Sequence, residues 1–515
     1  MSARADVVVL GAGIEGLCAA ATLAKGGRRV LVLDGRAQPG GTAAREEFHP
    51  GFRAPGLVPD ASLVRRELLA ALGLERHGLA WRGENPPLLV PHQSGCPLLL
   101  RRDLARMDGE LPAEERERLA TLQAFVARLA PLVAAVIDEP PPDAVAPSTG
   151  ELFALAQKAL RLRRLGKQEM FALARTLPSS AWDWMEEALR MEAVRVGLVA
   201  PALAGTVLGP RAPGTSTMVF LRMALAGPEP AGGAAALVDA LVALCRELGV
   251  ELRLGAEPKA LRLGAGGVSG VELADREVIE CARVASSLSP ARTLLELLPP
   301  GTLPPSVERA AQTFRARGTT AVLRLALSEP PTFMGREQEP VEHAVSAARL
   351  LDLERASDAL KYKRLSAQPW IEVRLPSRSE PALAPPGKAV AIVTCHTVPH
   401  ELSGDGWSAG ARMRLERTML DPFESLAPGV GGRIVGRELL APPDIAARYG
   451  CAGGHVFEGE LALDQLWLQR PSLALSRYTT GVPGLFLCGP GSHPGGPFLG
   501  GAGVLGARAL LAERA

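Results

Sequence analysis

The sequence predicts an α/β fold in which a nucleotide-binding domain with a parallel sheet is interrupted by a second domain of mixed sheet and helices. Three observations support this prediction. A β-α-β pattern opens the chain, a second block of strands and helices follows about two hundred residues later, and a buried strand with a glycine-rich helix closes it. Because crossover units of this kind build parallel sheets, we expect the three pieces to form one domain.

The opening pattern is typical of a dinucleotide site with a Rossmann-like start. A short buried strand precedes a turn with Gly11, Gly13 and Gly16, and a second apolar strand ends at Asp34. Gly11 allows a tight turn, Gly13 lets the backbone approach a pyrophosphate, and Gly16 lets the helix pack against the strand. The start of the helix directs N–H groups at the phosphates, and Asp34 is placed to accept hydrogen bonds from a ribose.

A second glycine motif, a pair of adjacent glycines, indicates which cofactor the site binds. Gly40 and Gly41 follow the acidic residue, and Arg36 and Arg45 flank them. NAD enzymes do not need this pair, whereas a cofactor with a longer diphosphate-ribityl arm does, so FAD is favoured over NAD. The stretch resembles the FAD-binding start of the amine-oxidase and phytoene-desaturase superfamily, in which an acid, a glycine pair and a basic residue follow the first three glycines.

Composition excludes several classes of protein. The net charge of +2 argues against a nucleic-acid partner, since no basic field exists to gather phosphates. The seven cysteines are scattered and form no CxxC pair, so a disulfide framework, a redox-active disulfide and a metal site are not expected. The chain begins its first strand almost at once, and no run of roughly 18 consecutive apolar residues occurs. We expect a soluble, cytoplasmic protein.

The remaining pattern gives a coarse map of elements and domains. We predict helices over residues 62–72, 112–137, 151–165, 181–199, 235–248, 290–298 and 409–426, and strands over 250–254, 268–273, 278–286, 318–327, 369–375, 389–395 and 485–488. The expected FAD-binding domain is discontinuous and comprises residues 1–65, 226–300 and 455–515. The expected substrate-binding domain comprises residues 66–225 and 301–454.

One predicted helix carries a cluster of basic side chains. These are Lys158, Arg161, Arg163, Arg164 and Lys167. Two interpretations stay open, because such a cluster can rest on anionic lipid as a peripheral membrane contact or form an ordinary solvated helix face.

The C-terminal segment carries a specific resemblance. Residues 482–496 are similar to the C-terminal flavin signature of carotenoid (phytoene) desaturase-like oxidoreductases. Residues 440–444 and 454–471 are closer still to one branch of that family, which carries the name pyridine nucleotide-disulfide oxidoreductase domain-containing protein 2. The similarity spans essentially the whole chain and implies the two-domain, amine-oxidase/phytoene-desaturase-like fold with FAD as cofactor. The name is misleading for this sequence, because it contains no redox disulfide pair.

The resemblance assigns the cofactor site residue by residue. The cofactor-binding residues that it implies are Gly11, Ala12, Gly13, Ile14, Glu15, Gly16, Asp34, Gly35, Arg36, Gly40, Gly41, Thr42, Arg45, Pro258, Gly489, Gly501, Ala502 and Gly503. Residues 501–506 also fit GxGxxG but follow a loop, so we interpret them as a helix N-terminus facing the flavin and not as a second NAD site. Pro258 stands where the family places a valine that pairs with adenine, and it has no N–H to donate.

Three functional hypotheses compete. The first is an FAD-dependent desaturase, dehydrogenase or isomerase that acts on an apolar, polyene-like substrate by hydride transfer to flavin N5, with oxygen or a quinone as acceptor. The second is an FAD oxidase of amines or other small molecules. The third is a flavin- or partner-binding protein without catalysis. His493 is the candidate base in the flavin loop, with a loop histidine bound to backbone as the alternative. Asp464 and Arg470 are expected to have structural roles.

Overall fold

The parallel sheet is assembled from three separated pieces of the chain. The computed structural model of the protein describes residues 5–58, 60–92, 95–107 and 109–513. The strands are β1 (Val7–Leu10), β2 (Val30–Asp34), β3 (Glu46–His49), β4 (Phe52–Ala54), β5 (Leu88–Val90), β6 (Leu98–Leu100), β7 (Glu251–Leu254), β8 (Pro258–Gly264), β9 (Gly267–Leu273), β10 (Val278–Glu280), β11 (Val284–Ser286), β12 (Ala321–Leu327), β13 (His343–Val345), β14 (Ile371–Arg374), β15 (Ala389–Cys395), β16 (Ile434–Leu440) and β17 (Leu485–Leu487).

Helices pack against the parallel sheet and against a second large sheet, which is mixed. They are α1 (Ile14–Lys25), α2 (Arg66–Leu69), α3 (Ala113–Ile137), α4 (Thr149–Arg164), α5 (Lys167–Thr176), α6 (Ala181–Ala188), α7 (Glu192–Val199), α8 (Thr215–Leu225), α9 (Gly233–Glu247), α10 (Pro305–Thr313), α11 (Leu350–Lys361), α12 (Ala409–Leu426), α13 (Pro442–Tyr449) and α14 (Gly501–Ala512). Short helical turns fill several connections, including residues 70–77 and 292–296.

The five strands of the parallel sheet are ordered β17-β11-β1-β2-β7. Residues of β1 alternate between two cores, as the period of a strand requires. Val7 and Val9 pack towards α1, α9 and α14, whereas Val8 and Leu10 pack towards the three-stranded sheet β10-β9-β8. The ends of β1, β2 and β11 therefore converge at one edge, which is where ligands bind in open α/β sheets.

The second large sheet is mixed and has seven strands in the order β16-β12-β15-β14-β13-β5-β6. Its pairs are antiparallel except that β13 and β5 run parallel. One face packs on α12 through Leu415, Met419 and Phe423. The other face lies towards the helices α3, α6, α7 and α8 and towards the core around α1. The predicted α/β fold with a mixed-sheet and helical second domain is confirmed.

Several elements differ from their predictions, and the helix expected over residues 181–199 divides into α6 and α7. The helix expected over residues 62–72 contains only the four-residue α2 and short turns, since the left-handed Gly73 ends it and its leucines are buried in a tight bend. The strand expected over residues 278–286 divides into β10 and β11, which belong to different sheets. Strand β8, which pairs with β9, was not predicted.

Within the described residues, α3 is long and apolar enough to cross a membrane by length and composition. The core helix of a soluble protein passes the same test, so this feature is weak evidence for a membrane span. Leu119, Val126 and Leu129 of α3 are buried in the helical core with residues of α6, α7 and α8.

Candidate functional site

The three glycines of the turn after β1 are required for different reasons. Gly11 has φ of +92°, which favours glycine, and a Cβ on Gly16 would lie 1.9 Å from the Gly11 carbonyl oxygen. Gly13 is different, since a Cβ there would meet nothing within 4 Å. The protein itself needs Gly11 and Gly16, whereas the small size of Gly13 serves only a ligand that approaches the backbone there.

The second glycine pair lies directly against this turn. The Gly40 N–H donates to the Ala12 carbonyl at 2.7 Å, and a Cβ on Gly41 would lie 3.3 Å from the Gly13 Cα. Gly40 and Gly41 both have positive φ, of 113° and 56°. The two glycine segments thus form one continuous cradle, which extends the phosphate site in the direction that a longer cofactor requires.

Asp34 stands at the end of β2 with its carboxylate fixed. Its Oδ2 accepts the Ala12 N–H at 2.7 Å, and its Oδ1 accepts the Arg36 N–H at 2.7 Å. A carboxylate has about four acceptor positions. Two acceptor positions remain, and their use by ribose hydroxyls stays a prediction.

These residues line a cleft of about 410 Å³, which we call the cofactor cleft. The predicted residues that it brings together are Gly11, Gly13, Ile14, Glu15, Asp34, Gly35, Arg36, Gly40, Gly41, Thr42 and Pro258. Ala12 and Gly16 lie directly beneath this lining and shape it. The cradle fits the diphosphate of FAD, since it leaves room at Gly13 and continues through the second glycine pair.

The cleft also contains residues that sequence reasoning missed. They are Glu257, Ser287, Arg292, Arg448, Tyr449, Phe457 and Glu458. Ser287 follows β11, and the rule that ligands bind at the carboxyl ends of parallel strands could have found it. Phe457 and Glu458 lie inside the segment that carried the family resemblance. Arg448 and Tyr449 end α13, and nothing in their local sequence marks them.

Pro258 begins β8 at the edge of the cleft, where the adenine edge is expected. The carbonyl of the neighbouring Glu257 accepts the Ala274 N–H at 2.9 Å, and the Glu257 carboxylate pairs with Arg292. A Cβ on Gly35 would collide with that carboxylate. The missing N–H at Pro258 stays a prediction of weaker adenine binding.

Arg45 does not lie in the cofactor cleft, contrary to the expectation for it. Its guanidinium donates to Asp239 at 2.6 Å and to Glu380 at 2.8 Å. Two carboxylates contributed by remote segments therefore hold it away from the cleft. Arg36 lies in the cleft instead and donates to the Gly41 carbonyl at 2.6 Å.

The N-terminus of α14 is also arranged differently from the expectation that Gly501, Ala502 and Gly503 face the flavin. The N–H groups of Gly500 and Gly503 donate to the two oxygens of Glu15, at 2.7 and 2.6 Å. The glycine at position 503 permits close packing, because a Cβ there would lie 2.1 Å from the Glu15 carbonyl oxygen. Glu15 thus satisfies the helix end that was assigned to the cofactor.

Gly489 has a packing role as well. A Cβ at this position would lie 2.3 Å from the Ser287 carbonyl oxygen. The residue lets the segment after β17 cross the end of β11. It supports the wall of the cofactor cleft and does not line it.

Two carboxyl groups in the cleft have strongly altered acidity. Burial raises the pKa of Glu15 to about 7 and that of Glu458 to about 8. Near neutral pH a substantial fraction of both groups is uncharged. This matters next to a diphosphate, because a neutral carboxyl does not repel an anion.

His493 does not lie among the residues of the cofactor cleft, and the structure does not support the hypothesis that it is the base. The ring is buried, and its Nε2 lies 3.1 Å from the Glu139 carbonyl oxygen, just after α3. Burial lowers the pKa of His493 to about 3, so the ring is neutral at physiological pH. A buried neutral ring bound to backbone is the alternative that the sequence had left open.

Asp464 and Arg470 have the structural roles expected for them. Asp464 pairs with Arg315 at 2.7 Å. The fully buried guanidinium of Arg470 donates to the carbonyls of Glu460 and Pro490, each at 2.9 Å. No disulfide joins any of the seven cysteines, and no metal-binding group of histidine, cysteine and acidic residues occurs in the part of the chain that the structure describes.

Comparison with known proteins agrees with this geometry. Residues 9–58 match the family model of the NAD(P)-binding Rossmann-like domain. The chain is 28% identical to pyridine nucleotide-disulfide oxidoreductase domain-containing protein 2 of Mus musculus, over 97% of this chain and 92% of that protein. It is 26% identical to a zeta-carotene-forming phytoene desaturase of Myxococcus xanthus, over 95% of this chain and 90% of that protein.

Solved structures share the fold. Wild-type putrescine oxidase bound to putrescine superimposes with a TM-score of 0.60 at 15% identity, over 99% of this chain and 98% of that one. Fold and cleft together define a two-domain, FAD-dependent oxidoreductase. Within this class, the chain is similar over nearly its whole length to the phytoene desaturase-like flavin oxidoreductases.

Proposed function

We propose that the protein is a dehydrogenase or desaturase that removes a hydride from carbon, with FAD in the cofactor cleft as hydride acceptor. Bound FAD supplies a hydride acceptor at flavin N5. The observation that carries the proposal is the open space at Gly13, in line with the second glycine pair. The Myxococcus relative, a phytoene desaturase by name, supports this class of reaction.

Apolar residues in the lining of the cleft support the same reaction. Val58, Phe457 and Leu499 are apolar and buried, and they line the cleft. Phe457 also lines a second, narrow cavity of about 50 Å³, which we call the bridge cavity. Apolar walls exclude water from the reacting carbon and orient an apolar chain.

The alternative of an amine oxidase has less support. That class often lines the flavin with aromatic residues and a lysine. The described lining of the cofactor cleft contains Tyr449 and Phe457 as its aromatic residues and contains no lysine. Oxygen or a quinone remains the proposed electron acceptor.

An absorption spectrum of the purified protein tests the proposal first. Flavin bands at near-equimolar occupancy are expected, and their absence after reconstitution with FAD would leave only the non-catalytic alternative. Anaerobic bleaching of the flavin is then compared between long-chain compounds that can be desaturated and a panel of amines. This comparison separates the dehydrogenase from the amine oxidase. Bleaching by amines alone would contradict the dehydrogenase proposal.

We also propose that α4 and α5 rest on an anionic membrane surface, as a peripheral contact of a cytoplasmic protein. Helix α4 has no buried residue, and Phe153 and Phe171 are 66% and 64% exposed. Arg161, Arg163 and Arg164 lie in the last turn of α4, and the Lys167 ammonium lies 5.6 Å from the centroid of the Phe171 ring. Exposed aromatic residues with adjacent cations are the pattern of an interfacial helix.

Vesicle sedimentation tests the membrane contact. The protein should bind phosphatidylcholine vesicles only when these contain phosphatidylserine, and the double variant F153S/F171S should lose that binding. The double variant Y362S/M413S is the matched control, because Tyr362 and Met413 are equally exposed outside these helices, at 67% and 69%. Equal binding by both double variants would contradict the proposal.

A further inference from the structure

A large cavity in the substrate domain has a composition that an all-apolar substrate does not explain. It measures about 670 Å³ and lies between α3, α7, α8 and the sheet edge around β5 and β6. Its walls from α3 and α8 are apolar, with Val126, Ala130, Pro131 and Leu225 among them. Five arginines also line it, so we call it the arginine cavity. They are Arg65, Arg101, Arg102, Arg222 and Arg374.

Four of the five arginines pair with acidic residues, since Arg65 pairs with Asp138 at 2.7 Å and Arg101 with Glu84 at 3.8 Å. Arg102 is exposed and has no acidic partner among the described ion pairs. Arg222 pairs with Asp60, and Arg374 pairs with Glu372 at 3.0 Å and with Glu229 at 3.4 Å. Burial raises the pKa of Glu229, which weakens its share of the negative charge.

Arg102 adds a further positive charge to this site. The described hydrogen-bond partner of its guanidinium is a neutral atom, the Ala226 carbonyl oxygen. Burial and the nearby Arg222 lower the pKa of Arg102, as expected for two cations held close together. An anion placed between Arg102 and Arg222 would relieve this repulsion.

The bridge cavity lies between the arginine cavity and the cofactor cleft. Pro201 and Arg222 line both the arginine cavity and the bridge cavity, and Phe457 lines both the bridge cavity and the cofactor cleft. The walls of the bridge cavity are mostly apolar, with Met218 and Leu221 of α8 among them, and its charged residues are Asp60, Arg222 and Glu372. The three cavities therefore adjoin one another in series.

We infer that the substrate is an amphipathic anion, namely an unbranched apolar chain that ends in a carboxylate. The carboxylate binds Arg102 and Arg222, and the chain passes through the bridge cavity to the flavin end of the cofactor cleft. Guanidinium groups match carboxylates in geometry and bind them with charge-assisted hydrogen bonds. A pure hydrocarbon would leave Arg102 without an anionic partner. The inference rests on the proposed function, because it takes the cofactor cleft as the place of reaction.

The test compares three probes of equal chain length on the FAD-loaded full chain: dodecanoate, dodecan-1-ol and dodecylamine. Calorimetric titration should give a dissociation constant for dodecanoate that is at least about tenfold lower than for the other two. Arg102→Glu should abolish this preference, whereas Arg102→Lys, which keeps the charge, should retain most of it. Arg417→Glu is the matched control, since Arg417 is 84% exposed on α12 and carries the same change of charge.

Two results would overturn the inference: equal affinity for the three probes, or unchanged dodecanoate binding in Arg102→Glu. Added salt gives a second measurement on the unaltered protein, because screening should weaken dodecanoate binding and leave dodecan-1-ol unaffected. Flavin absorbance is read on the same samples. Loss of flavin binding would refute the proposed function, whereas a retained flavin without anion preference would refute only the inference.

Discussion

The cofactor cleft and the arginine cavity both adjoin the bridge cavity, but they are built by opposite means. The cofactor cleft is shaped mostly by backbone, and the glycines of its cradle fall within residues 11–41. The arginine cavity is shaped by side-chain charges that come from distant segments, and Arg222 and its partner Asp60 are 162 residues apart. A site that is built from backbone is therefore determined by local sequence, whereas a site that is built from charges requires the whole fold to bring its ion pairs together.

Substitution of a buried, paired charge should have the largest effect of all, and this effect is on stability. Arg374→Met removes the arginine that pairs with buried Glu372 and Glu229 and leaves Asp60 with Arg222 alone, so we expect a loss of about 3–5 kcal/mol in the free energy of unfolding. Urea denaturation measures it. Arg437→Met is the control in the same sheet, because Arg437 pairs with Glu416 at 56% exposure and should cost less than about 1 kcal/mol. Equal losses of unfolding free energy in the two variants would contradict the prediction that the buried ion pairs matter more than the exposed one.

The backbone cradle should instead show its effect on cofactor binding. Gly13→Val fills the open space at the turn without a protein clash, so we expect normal folding and an FAD affinity lower by more than about 100-fold, or about 2.7 kcal/mol. Gly83→Val is the control, since Gly83 also faces open space and lies outside the described lining of the cleft. Unchanged FAD binding in Gly13→Val would show that the diphosphate lies elsewhere.

The acidic residues of the cleft should make FAD binding dependent on pH. Glu15 has a raised pKa of about 7, so its carboxyl is neutral below that value and becomes negative as the pH rises through it. The negative form repels the diphosphate, and we expect the affinity to fall about tenfold between pH 6 and 8. Titrations with FAD across this range measure the fall.

Substitution identifies the group responsible for this dependence. Glu15→Gln should flatten the profile, and Glu458→Gln should flatten its upper part, since the pKa of Glu458 is about 8. Glu47→Gln, a change at a half-exposed side chain outside the cleft, should preserve the full dependence. A full dependence in Glu15→Gln would reject the assignment.

The smallest effect concerns the two arginines near the second glycine pair. Arg45→Gln should change FAD affinity by less than about twofold, because the side chain is bound to Asp239 and Glu380 outside the cleft. Arg36→Gln should have the larger effect, since Arg36 lines the cleft and anchors the Gly41 carbonyl. The reverse order would restore the interpretation drawn from sequence.

The structure also changes what the strong sequence signals mean. Glycines 489, 501 and 503 were assigned to the cofactor, yet they permit close packing of the C-terminal segment on β11 and α1. His493 was assigned to proton transfer, yet its ring is neutral and bound to backbone. Sequence pattern marks positions where a side chain would not fit or a polar group is needed, but it does not say whether the neighbour is protein or ligand.

The sequence by itself determined the α/β class, the cradle from Gly11 to Gly41 and the position of Asp34. These features depend on backbone conformation and on spacing within one β-α-β unit, which local sequence controls. Only the tertiary structure decided that Glu15 binds the N-terminus of α14, that Arg45 lies outside the cleft, and that five arginines surround one cavity. Those outcomes depend on burial and on charges from remote segments, and neither quantity exists before the chain has folded.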